Sequence, residues 1–145
     1  MNIKKILWPT DLSANAEKAL PYVNSLTRKY QATIHILYVL EDLGINEPWY
    51  GTFESGLNKR IHKWGKKRAE ERLDELCREY LSGCPSYIRH VSIGDPAEEI
   101  LKIISEENVD VVVMTAREQK GKLALGSVTE RVVENASAMI AIIPA

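Results

Sequence analysis

Hydrophobic positions along the chain fall into two alternating regimes, short apolar runs and stripes spaced three or four residues apart. Ile3 to Trp8 is short and mostly apolar, Pro9 stops it, and it predicts a strand. Behind the capping oxygens of Asp11 and Ser13, Ala16, Ala19/Leu20, Val23, Leu26/Thr27 and Tyr30 recur at helical spacing. They predict an amphipathic helix that Pro21 kinks or delays. Thr33 to Leu40 is β-branched and apolar and predicts a second strand. Glu41 to Gly56, with its glycines, Trp49, Tyr50 and Phe53, predicts the longest irregular segment. From Leu57 a helical stripe returns at Ile61, Trp64, Ala69, Leu73, Leu76/Cys77 and Tyr80, and the longest helix should end at Gly83.

Tyr87 to Ile93 alternates apolar and polar residues, as a strand does with one wet face or at a sheet edge. Gly94 then turns the chain, Asp95 caps, Pro96 takes the first helical position, and Ile100, Leu101, Ile103 and Ile104 mark the buried face. Val109 to Met114 is almost wholly apolar, which suits a central parallel strand covered on both faces. Thr115 to Lys122 is a polar stretch. Gly126-Ser127-Val128-Thr129-Glu130 opens a helix reaching Asn135, with Ser127 and Glu130 spaced as a capping box. Met139 to Ile143 is the last strand. Strands and helices alternate throughout, with no repeat or linker, over residues 1–145. That order predicts one α/β domain, an open, doubly wound parallel sheet with helices on both faces. Ligands of such sheets bind at the carboxyl ends of the strands, near the switch point. Pro9-Thr10-Asp11, Val39-Leu40-Glu41, Gly94-Asp95 and the residues from Met114 onward are therefore the positions to weigh.

Composition narrows the function by exclusion. Basic and acidic side chains number 19 and 20, for a net charge of −1, so a partner read by the whole surface, such as nucleic acid, is not expected. Two cysteines, Cys77 and Cys84, are too few for a disulfide scaffold or a four-ligand zinc site and suit a reducing cytoplasm. No apolar run is long enough for a membrane span, and Ile6-Leu7-Trp8 before Pro9 is too short for a signal-peptide core. The dinucleotide fingerprint, the Walker loop and the Gly-x-Ser-x-Gly elbow are missing. Paired acids after the first strand, as in a phosphoacceptor receiver, are missing too. His35, His62 and His90 have no metal-spaced partners and read as structural. Lys59 to Arg68 is strongly basic. Trp64 falls on the proposed apolar stripe, and Lys66/Glu70 and Lys67/Glu71 are spaced as surface pairs, so this stretch reads as a solvated helix face.

Five segments together resemble the universal stress protein family. They are Ile6-Leu7-Trp8-Pro9-Thr10-Asp11-Leu12-Ser13, Tyr38-Val39, Gly94-Asp95-Pro96-Ala97-Glu98-Glu99-Ile100, Gly126-Ser127-Val128-Thr129-Glu130-Arg131-Val132 and Met139-Ile140-Ala141-Ile142-Ile143-Pro144. The resemblance covers essentially the whole chain. It implies a five-stranded parallel sheet of order 3-2-1-4-5 and a homodimer through the last strand, Met139 to Ile143. It also implies a cytoplasmic stress-response or regulatory role without catalysis, with an unknown protein partner.

Many members of that family bind ATP through Gly-x2-Gly-x9-Gly-Ser/Thr. Here Met114 matches the residue before the first glycine, Thr115 stands in that glycine's place and Glu118 in the second's, and Gly126-Ser127 remains. Residues 119 to 125 make the loop two residues shorter than the family's. Arg117, Lys120 and Lys122 offer compensating cations and Gly121 a tight turn. The implied adenine-nucleotide site, for ATP or AMP, comprises Pro9, Thr10, Asp11, Val39, Met114, Thr115, Arg117, Lys120, Gly121, Gly126, Ser127 and Val128. Each also has a plainer role: Asp11 as a turn former, Val39 as a buried apolar residue, Ser127 as a cap. Three functions stay open: a nucleotide-binding switch, a nucleotide-independent interaction protein, and a slow ATPase.

Overall fold

Strand β1 (Lys5–Pro9) is the centre around which the structure is built, with Ile6, Leu7 and Trp8 all buried. The computed structural model describes residues 2–40, 53–80, 87–119 and 122–144. After β1 come α1 (Ala14–Glu17), α2 (Leu20–Tyr30), β2 (Thr33–Leu40), α3 (Phe53–Tyr80), β3 (Tyr87–Ile93) and α4 (Pro96–Glu107). Then follow β4 (Val111–Thr115), β5 (Arg117–Gln119), β6 (Lys122–Ala124), α5 (Ser127–Asn135) and β7 (Met139–Ile143).

The five long strands form one parallel sheet of order β3-β2-β1-β4-β7, the order 3-2-1-4-5 expected of the main strands. Side chains of β1, β2 and β4 alternate between two cores, so their runs are apolar at nearly every position. Ile6, Trp8, Ile34, Ile36, Val111 and Val113 face the layer of α2 and α3, where Val23, Leu73, Leu76 and Cys77 are buried. Leu7, Leu37, Val112 and Met114 face α4 and α5, meeting Ile100, Ile103, Ile104 and Val132. Cys77 is thus a core residue, as its place on the helical stripe implies, while Cys84 lies outside the described residues.

Three sequence expectations need correction. The helix expected through Pro21 is two, because α1 ends at Glu17 and α2 restarts with the proline in its first turn, where a missing N–H costs nothing. The long helix begins at Phe53, inside the segment expected to be irregular, of which residues 41–52 lie outside the described residues. The polar stretch after β4 is not a loop: β5 and β6 pair antiparallel, Arg117 with Ala124 and Gln119 with Lys122.

Candidate functional site

The carboxyl ends of β1, β2 and β4 meet at the switch point, where the chain leaves β1 toward one side and β4 toward the other. A cleft of about 240 Å³ opens there. Its floor and walls are Pro9 of β1 with Thr10 and Asp11 just after it, Leu37 and Val39 from β2, and Met114 and Thr115 from β4. Ser13, Asn15 and Ala16 of the first helical turn, Pro96 and Ile100 of α4, and Val128 and Thr129 of α5 complete it.

The turn out of β1 is made by its own side chains. The N–H of Leu12 donates to Thr10 Oγ1 (3.0 Å), the N–H of Ser13 donates to Asp11 Oδ1 (2.9 Å), and Ser13 Oγ accepts from the N–H of Ala16 (3.1 Å). Leu12 takes a left-handed backbone, φ 64°, to let this happen. Thr10 is buried, whereas Asp11 is exposed, so its carboxylate fixes the turn and still faces solvent at the cleft mouth. Asn15 reaches across the cleft, its Nδ2 donating to Ala116 O at 3.4 Å, which ties α1 to the end of β4.

Two helix starts face the cleft and differ in their capping. Asp95 caps α4 as expected, accepting from the N–H of Glu98 (3.0 Å), and Gly94 before it has φ 152°. A Cβ at Gly94 would also lie 3.0 Å from Glu99 Oε1, so glycine is required at this turn. α5 lacks the expected capping box. Its N-cap is Gly126, Ser127 is already the first helical residue, and no side chain accepts from the first-turn N–H groups. Those donors, at a helix end carrying positive partial charge, are open to an anion. Arg131 bridges the two starts, donating to Asp95 Oδ2 at 2.9 Å and lying 3.9 Å from Glu98 Oε1. These side chains are about half exposed, so the pairs set geometry more than they stabilise.

Residues 2–144 match the universal stress protein family. The chain belongs to that family. It is 27% identical to the universal stress protein MJ0577 of Methanocaldococcus jannaschii, over 97% of this chain and 94% of the relative. The solved structure of MJ0577 superposes with a TM-score of 0.85, covering 100% of this chain and 98% of that one at 26% identity. A universal stress protein of Methanothermobacter thermautotrophicus is 30% identical over 94% of this chain and 92% of its own. The structure of a universal stress protein from Archaeoglobus fulgidus in complex with dAMP shares the fold, with a TM-score of 0.61 at 17% identity, covering 99% of each chain.

Against the family's glycine loop, this universal stress protein departs in a definite way. Thr115, in place of the first glycine, is a strand residue paired with Ile143, and the next N–H, that of Ala116, donates to Ile143 O at 2.9 Å. Among the described residues, left-handed backbone occurs at Leu12, Gln31 and Asn108 and a positive-φ glycine at Gly94, so Thr115 does not adopt a glycine conformation. The chain takes another path, into the β5–β6 hairpin, instead of forcing side chains into left-handed backbone.

The structure therefore gathers Pro9, Thr10, Asp11, Val39, Met114, Thr115 and Val128 around one cleft. Gly126 and Ser127 stand at its rim as the start of α5, and Arg117 lies in β5. Lys120 and Gly121 lie outside the described residues. Sequence reasoning did not assign Leu37, Ser13, Asn15, Ala16, Pro96, Ile100 or Thr129 to the site. For Leu37 the signal was period two from Val39, and for Thr129 its place within the Gly-Ser-Val-Thr helix start. His35 and His90 meet elsewhere, on β2 and β3, with His35 Nδ1 and His90 Nε2 3.0 Å apart. Among the described residues no cluster could hold a metal ion, and no helix is long and apolar enough to cross a membrane.

Proposed function

We propose that this universal stress protein senses an adenine nucleoside monophosphate and acts by binding, not by turnover. The observation that carries this reading is the cleft at the switch point, with its apolar walls, one exposed carboxylate and an uncapped helix start at its rim. Leu37, Val39, Ile100, Met114 and Val128 would sandwich a purine. Asp11 would accept from a ribose hydroxyl, and the first-turn N–H groups of α5 would receive one phosphate. The volume suits the nucleoside part of a ligand rather than an extended triphosphate. The family's loop glycines would let backbone N–H groups approach the phosphates, and here Thr115 ends a strand and Arg117–Gln119 pairs with Lys122–Ala124. The dAMP complex of the Archaeoglobus relative supports the same ligand class.

Among the described lining residues Asp11 is the carboxylate, and its Oδ1 is already engaged with the turn. Isothermal titration with adenosine, AMP, ADP and ATP, with and without magnesium, tests the proposal. AMP should bind in the micromolar to sub-millimolar range and ATP no more tightly. Silence with every nucleotide at millimolar ligand would sink it, and ATP binding far tighter than AMP would overturn the monophosphate preference.

The protein is further proposed to act as a homodimer through β7. β7 is a sheet edge with Ile140, Ala141 and Ile142 partly exposed and Met139 48% exposed. The opposite edge, β3, carries Arg89, His90 and Ser92, which blunt edge-to-edge pairing.

A further inference from the structure

The basic stretch of α3 is a solvated helix face, but Trp64 does not lie on its buried side. The helix packs on the sheet through Gly65, Ala69, Leu73, Leu76 and Cys77; Ala69 is 4% exposed and Leu73 fully buried. Gly65 lies close to Leu40, where an added Cβ would be 3.4 Å from Leu40 Cδ2. Trp64 is on the other side. It is 62% exposed, and the Arg68 guanidinium lies 5.1 Å from its ring centroid. Arg60, Lys63, Lys66, Lys67 and Arg68 are all exposed around it.

Among the described residues, neither Lys66 with Glu70 nor Lys67 with Glu71 forms an ion pair. Among the described residues the ion pairs of α3 are Arg72 with Glu75 and Asp74 with Arg89, both in its second half. Among the described residues, the cations of the first half thus form no ion pair and surround an open aromatic ring.

We propose that this ridge binds single-stranded nucleic acid, with Arg60, Lys63, Lys67 and Arg68 on phosphates and Trp64 stacked on a base. Arg60, Lys63/Trp64 and Lys67 follow one another at helical spacing and span about 10 Å along one side of the helix. Cations tracking a backbone, interrupted by an aromatic platform, is the recognition chemistry of single strands, whose bases are free to stack. A duplex hides those faces. A lipid surface is a poorer match, because interfacial helices turn a broad apolar face to the membrane and here that face is against the sheet. The net charge of −1 does not oppose a local patch of this kind.

The test is fluorescence anisotropy of a labelled oligothymidylate of about 20 nucleotides with the whole protein, over a salt series. Binding should weaken with a log–log slope near −3, the value for about four neutralised single-strand phosphates. Lys63→Glu with Lys67→Glu should abolish it. Trp64→Ala should weaken it about fivefold or more, and Trp64→Phe should restore most of that loss. All these positions are exposed, so circular dichroism and melting temperature should stay as in the wild type. The proposal is overturned if the oligonucleotide does not bind in low salt or if Trp64→Ala binds like the wild type. It is also overturned if heparin, or vesicles of phosphatidylcholine and phosphatidylserine, bind more tightly than the oligonucleotide.

Discussion

At the scale of single residues, capping chemistry decides what the cleft can hold. Ser13 and Asp95 spend their oxygens on the helices they start, so the N-termini of α1 and α4 are closed. Gly126 has no side chain to spend, and its backbone (φ −70°) is open to any residue. Gly126→Ser therefore makes two opposite predictions. A serine oxygen would take the N–H of Val128 or Thr129 and stabilise the fold by a few tenths of a kcal/mol, seen as a small rise in the urea midpoint. The same bond would displace a phosphate, weakening AMP roughly two- to fivefold while leaving adenosine unchanged. AMP binding that does not respond would place the phosphate elsewhere.

At the scale of elements, the pairing of β2 with β3 brings together two histidines that the sequence holds far apart. Leu37 is opposite His90 and His35 opposite Ile88, and the rings stack with centroids 5.2 Å apart. Burial holds His35 below its ordinary value of 6.5, and His90 and Lys5 push the same way against the raising effect of Glu107. Neutral His35 is thus the form the fold prefers. Below pH 6.5 the unfolded chain takes up a proton that the folded chain resists. The contribution is complete above that value and is lost as pH falls through it toward the folded pKa. Urea midpoints measured from about pH 7.5 down to about pH 5.5, above the range where carboxylates titrate, should fall for the wild type. In His35→Gln that limb should flatten, and an unchanged slope would show that His35 carries no linkage.

Elements also show where the linear pattern misleads. Trp64 is placed on the helical stripe by the sequence reading, but it lies five residues before Ala69 and nine before Leu73, about 140° and 180° around the axis, and the sheet covers the side of Gly65, Ala69 and Leu73. The β5–β6 hairpin has no apolar alternation to betray it. Its one signal is Lys120-Gly121, a glycine in a two-residue connection between Gln119 and Lys122.

At the scale of the whole molecule, the sheet's two edges are unlike, and the difference predicts assembly. If β7 is the dimer seam, the protein should run as a dimer by size-exclusion chromatography with light scattering at micromolar concentration. Met139→Lys should shift it to monomer without changing the far-ultraviolet spectrum, since Met139 is already half exposed. A wild-type monomer under these conditions would remove the proposal.

The order of strands and helices, the burial of the central strands on both faces, the α4 start and half of the cleft lining follow from local sequence, and the sheet order from the family resemblance. Parallel strands buried on both faces need apolar runs, and turns need the oxygens of Asp11, Ser13 and Asp95, so both leave marks that can be read residue by residue. Other features depend on contacts between distant segments. Pairing of Thr115 with Ile143 turns the family's glycine loop into a hairpin, and strand register brings His35 to His90. Backbone geometry makes Gly126 rather than Ser127 the cap. Such features are decided by which surfaces remain after the sheet is covered, and no window of neighbouring residues contains that information.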